Sequence, residues 1–153
     1  MESGIHQVNE LQVEKVGVYM SLATDFVTLL EADVSVAAGF TTISHAWETD
    51  PIDNLEDDVI PGVFVFPGKH IVAVSEHDGF VAQKVAKHLN CFIVATHAAI
   101  DERIAEVRAA GLGWQYDTTH DELELLSGEP VSLKGDFLWW MDVYITRTQI
   151  RQS

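Results

Sequence analysis

The stretch KHIVAVSEHDGFVAQKVAKHLNCFIVATHAAIDERIAEVRAAG, residues 69–111, decides the fold that this sequence predicts. It contains two short apolar runs, IVAV at 71–74 and CFIVA at 91–95. Neither alternates with polar residues, so both predict strands covered on both faces. Between them, apolar residues at spacings of three and four predict a helix over 78–90. A second helix is predicted over 96–111, because acidic residues occupy its early turns and a glycine ends it. The stretch therefore predicts a parallel β-α-β-α unit.

The segments on either side of this unit predict further strands and one more helix. Their patterns combine apolar periodicity with turn residues such as Pro-Gly and Gly-Asp pairs. Residues 9–24 fit a helix and a strand equally well and stay open between the two. The predicted elements are a helix at 25–31, a strand at 34–47, a hairpin between 62–66 and 69–75, a short strand at 112–116 and a hairpin between 131–134 and 137–146.

Together these elements predict an α/β or α+β fold with one mixed sheet. The central parallel unit is flanked by antiparallel strands and by the C-terminal β-hairpin. A length of 153 residues suits a single globular domain over residues 1–153. The single cysteine, Cys91, lies in an apolar run, which excludes an intramolecular disulfide and predicts a buried, unreactive thiol.

The last predicted strand has two faces of different character. One face carries five apolar residues: Phe137, Trp139, Met141, Val143 and Ile145. The other face is mixed and carries Leu138, Trp140, Asp142, Tyr144 and Thr146. Since adjacent tryptophans point to opposite faces, one belongs to the core and the other is either covered by another element or available to a partner.

The charge distribution is the strongest global signal in the sequence. The chain carries 24 acidic and 9 basic residues, a net charge of -15. Residues 48–58, ETDPIDNLEDD, contain six acids and no base, and residues 117–129 contain five acids and no base. Such surfaces repel nucleic acids and anionic lipids and attract basic partners. We therefore expect no nucleic-acid partner.

These charges favour a protein-binding antagonist as the function. The hypothesis is an acidic inhibitor that neutralises a basic protein: an immunity protein or antitoxin against a toxin such as a nuclease, or a phage-type inhibitor. Carboxylates would pair with basic residues of the partner's substrate cleft, around one aromatic anchor. The expected partner-binding residues are Trp47, Glu48, Asp50, Asp53, Glu56, Asp57 and Asp58.

The alternative is a small α/β enzyme or ligand sensor. In open α/β sheets, ligands bind beyond the carboxyl ends of parallel strands. The predicted strand ends carry Ser75, His77, Asp78 and His97, whose imidazole, carboxylate and hydroxyl groups suit acid–base chemistry. Capping of the following helix explains Asp78 equally well, so an enzyme is the less favoured interpretation.

Several common sites have no signature in this sequence. HExxH, GxSxG, GxGxxG and GKS/T motifs do not occur, and we expect no cofactor and no metal. The sequence contains no apolar run of about 18 residues, and its first ten residues lack the pattern of a signal peptide. We therefore expect a cytoplasmic protein without a membrane partner. The oligomeric state does not follow from the sequence.

Overall fold

A computed structural model of the protein describes residues 22–46, 57–74 and 82–151. In these ranges the chain forms one five-stranded mixed sheet and three helices. The helices are α1 (22–32), α2 (Val34–Gly39) and α3 (Ile100–Gly111), and a short 3-10 turn covers Asp57–Val59. The strands are β1 (Thr42–His45), β2 (Gly62–Val72), β3 (Ala82–Thr96), β4 (Glu124–Lys134) and β5 (Phe137–Arg151). This architecture confirms the predicted α+β class with a mixed sheet and a C-terminal hairpin.

The strand order in the sheet is β1-β2-β3-β5-β4. Strand β1 runs parallel to β2, and every other neighbouring pair is antiparallel. The long central strand β3 pairs with β5 over its whole length, from Ala82 opposite Arg151 to Thr96 opposite Phe137. The two ends of β3 therefore define two ends of the sheet.

The helices and one face of the sheet enclose the main core. Phe26 of α1 contacts the rings of Tyr144 on β5 and Trp114, with centroid distances of 5.6 Å in both cases. Val107 of α3 and Leu89 of β3 belong to the same buried cluster. We call this side of the sheet the helix face. Burying one such large apolar side chain contributes about 1.5–3 kcal/mol, so the core is the main source of stability.

The opposite face of the sheet carries a smaller aromatic cluster. Phe64, Val94 and Trp139 form its buried centre, and Phe92 and Phe137 pack against it. Phe64 and Trp139 stack with a centroid distance of 6.3 Å. No residue of α1, α2 or α3 belongs to this cluster.

The helix predicted over 78–90 is wrong, and with it the parallel arrangement of the β-α-β-α unit. Residues 82–96 form one continuous strand that is antiparallel to β2. Val85 and Leu89 are four residues apart, a spacing that places both on one side of a helix and also on one side of a strand. Pairing with β2 and β5 along both edges therefore decides against the local helix preference.

Three further predictions need correction. The strand expected at 34–47 is instead α2 followed by β1, because Asp33 caps a helix in which Val36 is buried. No turn separates 62–66 from 69–75: β2 continues through Pro67, and a shift in register before His70 absorbs the irregularity. The strand expected at 112–116 is a turn segment.

Other predictions are confirmed. The helix at 25–31 lies within α1, and the predicted C-terminal hairpin is formed by β4 and β5 around Gly135, which has a φ of 61°. Helix α3 has Asp101 and Glu102 in its first turn and ends at Gly111, as expected. Residues 9–21 lie outside the described residues. No helix in the described part of the chain combines the length and the apolar character that a membrane span requires.

Candidate functional site

A buried carboxylate, Asp142 on β5, is the centre of a polar network on the helix face. Its side chain is fully buried and accepts two hydrogen bonds from the guanidinium of Arg108 on α3, at 2.9 and 2.8 Å. The indole Nε1 of Trp140 donates to the same carboxylate at 2.7 Å, and the hydroxyl of Tyr144 donates at 3.3 Å. A buried charge with this many donors is well compensated. The network therefore ties α3 to the centre of the sheet.

The surroundings of Asp142 shift the pKa values of its neighbours. The hydrogen bond to Asp142 raises the pKa of Arg108. Burial, and after it the nearby Cys91 and Asp142, raise the pKa of Tyr144 well above its ordinary value. Burial also raises the pKa of the Cys91 thiol well above its ordinary value, so this cysteine stays protonated. The predicted burial of the thiol is confirmed.

A second polar cluster fastens the segment after α3 to the sheet. His120 is 7% exposed, and its Nε2 lies 3.0 Å from the ammonium of Lys87 on β3. Because an ammonium can only donate, Nε2 accepts and the Nδ1 proton is donated to Asp117 at 2.6 Å. This hydrogen bond, followed by those from Thr119, lowers the pKa of Asp117 to about 2. These hydrogen bonds hold the loop of residues 117–120 against β3.

The end of the sheet that contains Ala82 and Arg151 carries an open cavity. Its volume is about 240 Å³. Two cationic side chains, Lys84 and Arg147, line it together with hydroxyl and amide groups. The remaining lining residues are Thr119, Asp121, Thr148 and Gln149. We call this end of the sheet, formed by residues 69–74, 82–88 and 145–151, the basic end.

The enzyme or sensor alternative expected a site where two parallel strands end side by side, and the structure does not have this arrangement there. Since β2 and β3 are antiparallel, their carboxyl ends point in opposite directions. His97 is exposed in the turn after β3. Ser75, His77 and Asp78 lie outside the described residues, so their role stays untested. In the described part of the chain, no group of three or more His, Cys, Asp or Glu side chains is arranged to hold a metal.

The expected partner-binding residues are also mostly beyond the described ranges. The backbone of Asp57 belongs to the 3-10 turn before β2, and Asp58 is exposed there. Trp47, Glu48, Asp50, Asp53 and Glu56 lie outside the described residues. Their proposed contacts stay predictions.

Sequence reasoning missed the two features that the tertiary structure creates. Asp142 was placed on the less apolar face of the last strand, but that face is the one that the helices cover. Lys84 and Lys87 were assigned to a helix, which hid the position of Lys84 beside Arg147 and the contact of Lys87 with His120. A lone acid in a strand of aromatic residues was the available signal for the Asp142 network.

Among curated proteins no match was found. A solved structure described as "Virion of native gene transfer agent (GTA) particle" contains a chain with the same fold, at a TM-score of 0.54 and 16% sequence identity. The match covers 82% of this chain and 92% of that chain. At this identity the likeness establishes the fold alone.

The family comparison decides the class of protein. The family model described as "Phage tail terminator protein" matches residues 22–153, which include every helix and strand of the structure. This match overturns the antagonist hypothesis: the assignment as immunity protein, antitoxin or inhibitor of a basic toxin or nuclease is wrong. The same match also contradicts the alternative of a small α/β enzyme or ligand sensor. An acidic surface is a general property that many protein classes share, so charge alone misdirected the inference. The chain belongs to the phage tail terminator family.

Proposed function

We propose that this protein is a structural component of the tail of a phage or of a phage-like gene transfer particle, and that it ends the tail. The family match over residues 22–153 carries the proposal. The shared fold with a chain of a gene transfer agent virion supports it. The protein would assemble in the cytoplasm with other tail proteins and remain part of the finished particle.

The edge strand β4 supplies a surface suited to such contacts. Among the residues that the structure describes, it is the last strand of the sheet and pairs on one side only, with β5. Three large apolar residues on it are exposed, Leu126 at 49%, Val131 at 42% and Leu133 at 60%. Exposed apolar groups beside an open strand edge are features of surfaces that bind other proteins. We therefore place a tail contact on β4.

The direct test is removal of the gene from the phage or cell that produces the particles. Electron microscopy of the resulting lysate should show tails of irregular length or tails that are not joined to heads, and the yield of functional particles should fall. The intact gene supplied in trans should restore normal particles. Normal tails and an unchanged yield after deletion would rule the proposal out.

Variants of β4 test the surface itself. Leu126→Asp combined with Leu133→Asp should give a folded protein, judged by circular dichroism, that does not restore particles. The matched control is Val34→Asp, an equally drastic change at a residue that is 84% exposed on α2, the helix that directly precedes β1 at the opposite edge of the sheet from β4. This control should restore particles. Full restoration by the β4 double variant would remove β4 from the proposal.

A further inference from the structure

The basic residues of this acidic chain are concentrated at one end of the sheet. The chain has 9 lysines and arginines, and five of them belong to the basic end as defined above. Its three segments contain no aspartate, glutamate, phenylalanine, tyrosine or tryptophan. The five residues are Lys69, Lys84, Lys87, Arg147 and Arg151. The basic end therefore differs in charge from the rest of a chain whose net charge is -15.

Exposed apolar side chains accompany these cations. In the part of the chain that the structure describes, nine large apolar side chains are exposed, and four of them belong to the basic end. The four are Ile71, Val72, Val74 and Ile150. Exposed apolar groups surrounded by polar and charged groups are typical of a surface that binds another protein.

The strand register places cations on two sides of one of these apolar residues. Ile71 of β2, Ala86 of β3 and Arg147 of β5 lie opposite one another in a single row. Directly opposed side chains point to the same face of a sheet, and Ala86 is three residues from Leu89 of the main core, so the row lies on the face opposite the helix face. Lys84 is two residues from Ala86 and shares that face. Cations and an apolar side chain therefore form one patch.

The cations of this patch are available to an external carboxylate. Lys84 is exposed, and among the described residues no acid forms an ion pair with it. Arg147 lies 3.7 Å from Glu124, but both side chains are exposed, so this pair contributes little. The cavity of about 240 Å³ between Lys84 and Arg147 has one acidic lining residue, Asp121. Two further acids of the sequence, in residues 75–80, lie outside the described residues. The described lining of this recess thus carries a net positive charge.

We propose that the basic end binds an acidic segment of a different tail protein, in which carboxylates flank at least one apolar side chain. A carboxylate would enter the recess between Lys84 and Arg147 and accept charge-assisted hydrogen bonds, while the apolar side chain would cover Ile71. Charge complementarity selects an acidic occupant. The exposed apolar side chains, and the lack of Phe, Tyr and Trp for base stacking, favour a polypeptide over a nucleic acid. The inference deepens the proposed function, on which it rests for the source of the partner.

Peptide binding to the purified protein tests the chemistry of this surface independently of any particle. The probe is a fluorescent peptide of about ten residues in which glutamate and leucine alternate, and fluorescence anisotropy measures its binding. It should bind more tightly than a peptide with lysine in place of glutamate and than one with serine in place of leucine. Raising the salt from about 0.05 M to about 0.5 M should weaken its binding, because screening shortens the range of the charges. Equal binding of the three peptides, or no binding, would overturn the inference.

Variants of the basic end locate the peptide. Lys84→Glu should weaken binding of the glutamate-leucine peptide roughly tenfold. The matched control is Lys134→Glu, which changes the net charge equally at an exposed lysine at the other end of the sheet and should not weaken binding. Ile71→Ser should also weaken binding, whereas Val34→Ser on α2 should not. Circular dichroism verifies folding, and Lys84→Gln replaces Lys84→Glu if that variant does not fold. Equal effects of the Lys84 and Lys134 variants would overturn the inference.

Photocrosslinking identifies the occupant in the particle. A photoreactive benzoylphenylalanine in place of Ile71 is introduced into the gene that complements the deletion, and mass spectrometry of purified particles identifies what it joins. The expected product contains an acidic segment of a different tail protein, and the same group in place of Val34 should not give this product. A crosslink to a second copy of this chain or to nucleic acid, or no crosslink in particles that contain the protein, would overturn the inference. Particles that lack the protein would contradict the proposed function instead, and the peptide experiment would then decide the inference alone.

Discussion

At the scale of single residues, the stability of this fold depends on compensating a charge inside the core. Asp142 is fully buried, and Arg108, which is 31% exposed, supplies its countercharge from α3. Trp140 and Tyr144 satisfy further acceptor positions of the carboxylate. The pair is therefore a constraint on how α3 packs, more than a net source of stability.

Replacing Asp142 with Asn should destabilise the protein by roughly 1–3 kcal/mol, because Arg108, Trp140 and Tyr144 would lose the carboxylate that accepts their hydrogen bonds. Urea denaturation measures the loss. The double variant Asp142→Leu with Arg108→Met should recover part of it, since no uncompensated charge remains. Arg147→Met serves as control and should cost less than about 1 kcal/mol, because Arg147 and its partner Glu124 are both exposed, at 48% and 67%. A small effect of Asp142→Asn would show that the network is dispensable.

Asp117 gives the protein a pH-dependent contribution to stability. The pKa of its carboxyl is lowered to about 2, mainly by His120, against about 3.9 in an unfolded chain. A depressed pKa in the folded state stabilises the fold above the unfolded value and loses this effect as the pH falls. Asp117→Asn should therefore lower the melting temperature at about pH 6 and have a progressively smaller effect between about pH 4 and pH 2. The same difference at every pH would contradict this assignment.

At the scale of elements, short helices and long strands were hard to predict from sequence for different reasons. Helix α2 has only six residues, and two of them are valines, which favour strands. One capping interaction and the burial of Val36 favour the helix nonetheless. Strand β3 shows the reverse: helix-favouring residues such as Ala86 and Lys87 are held extended by partners on both sides.

The cap of α2 is open to direct measurement. The carboxylate of Asp33 accepts a hydrogen bond from the backbone N–H of Val36 at 3.0 Å. Asp33→Ala should destabilise the protein by about 1 kcal/mol, measured by chemical denaturation. Asp33→Asn keeps an acceptor oxygen and should cost much less. Equal losses of stability in the two variants would contradict a stabilising role of this hydrogen bond in α2.

The C-terminal hairpin illustrates which part of an element is visible in sequence. Its turn was predicted correctly, because Gly135 adopts a positive φ that glycine favours. The sequence did not show which of the two faces of β5 the helices cover. The mixed face, with Tyr144 and Thr146, belongs to the main core, whereas Trp139 of the apolar face joins the smaller aromatic cluster. Only the placement of the helices decides which face is covered.

At the scale of the whole molecule, the distribution of charge matters more than its sum. The net charge of -15 favoured the hypothesis that the partner is a basic toxin or nuclease, and the family match contradicts this hypothesis. Five of the nine basic residues belong to the basic end of the sheet, whose three segments contain no aspartate or glutamate. That residues 1–153 form a single domain stays a prediction.

The sequence alone determined the elements whose signals are local. Helix dipole complementarity and a terminal glycine specify α3, a Gly-Asp turn specifies the last hairpin, and an apolar setting specifies the buried Cys91. The tertiary structure alone decided the conformation of residues 82–90, the covered face of β5 and the meeting of Lys84 with Arg147 at one end of the sheet. The reason is physical: these outcomes depend on hydrogen bonds and burial between residues far apart in the chain, where a local pattern fits two conformations equally well.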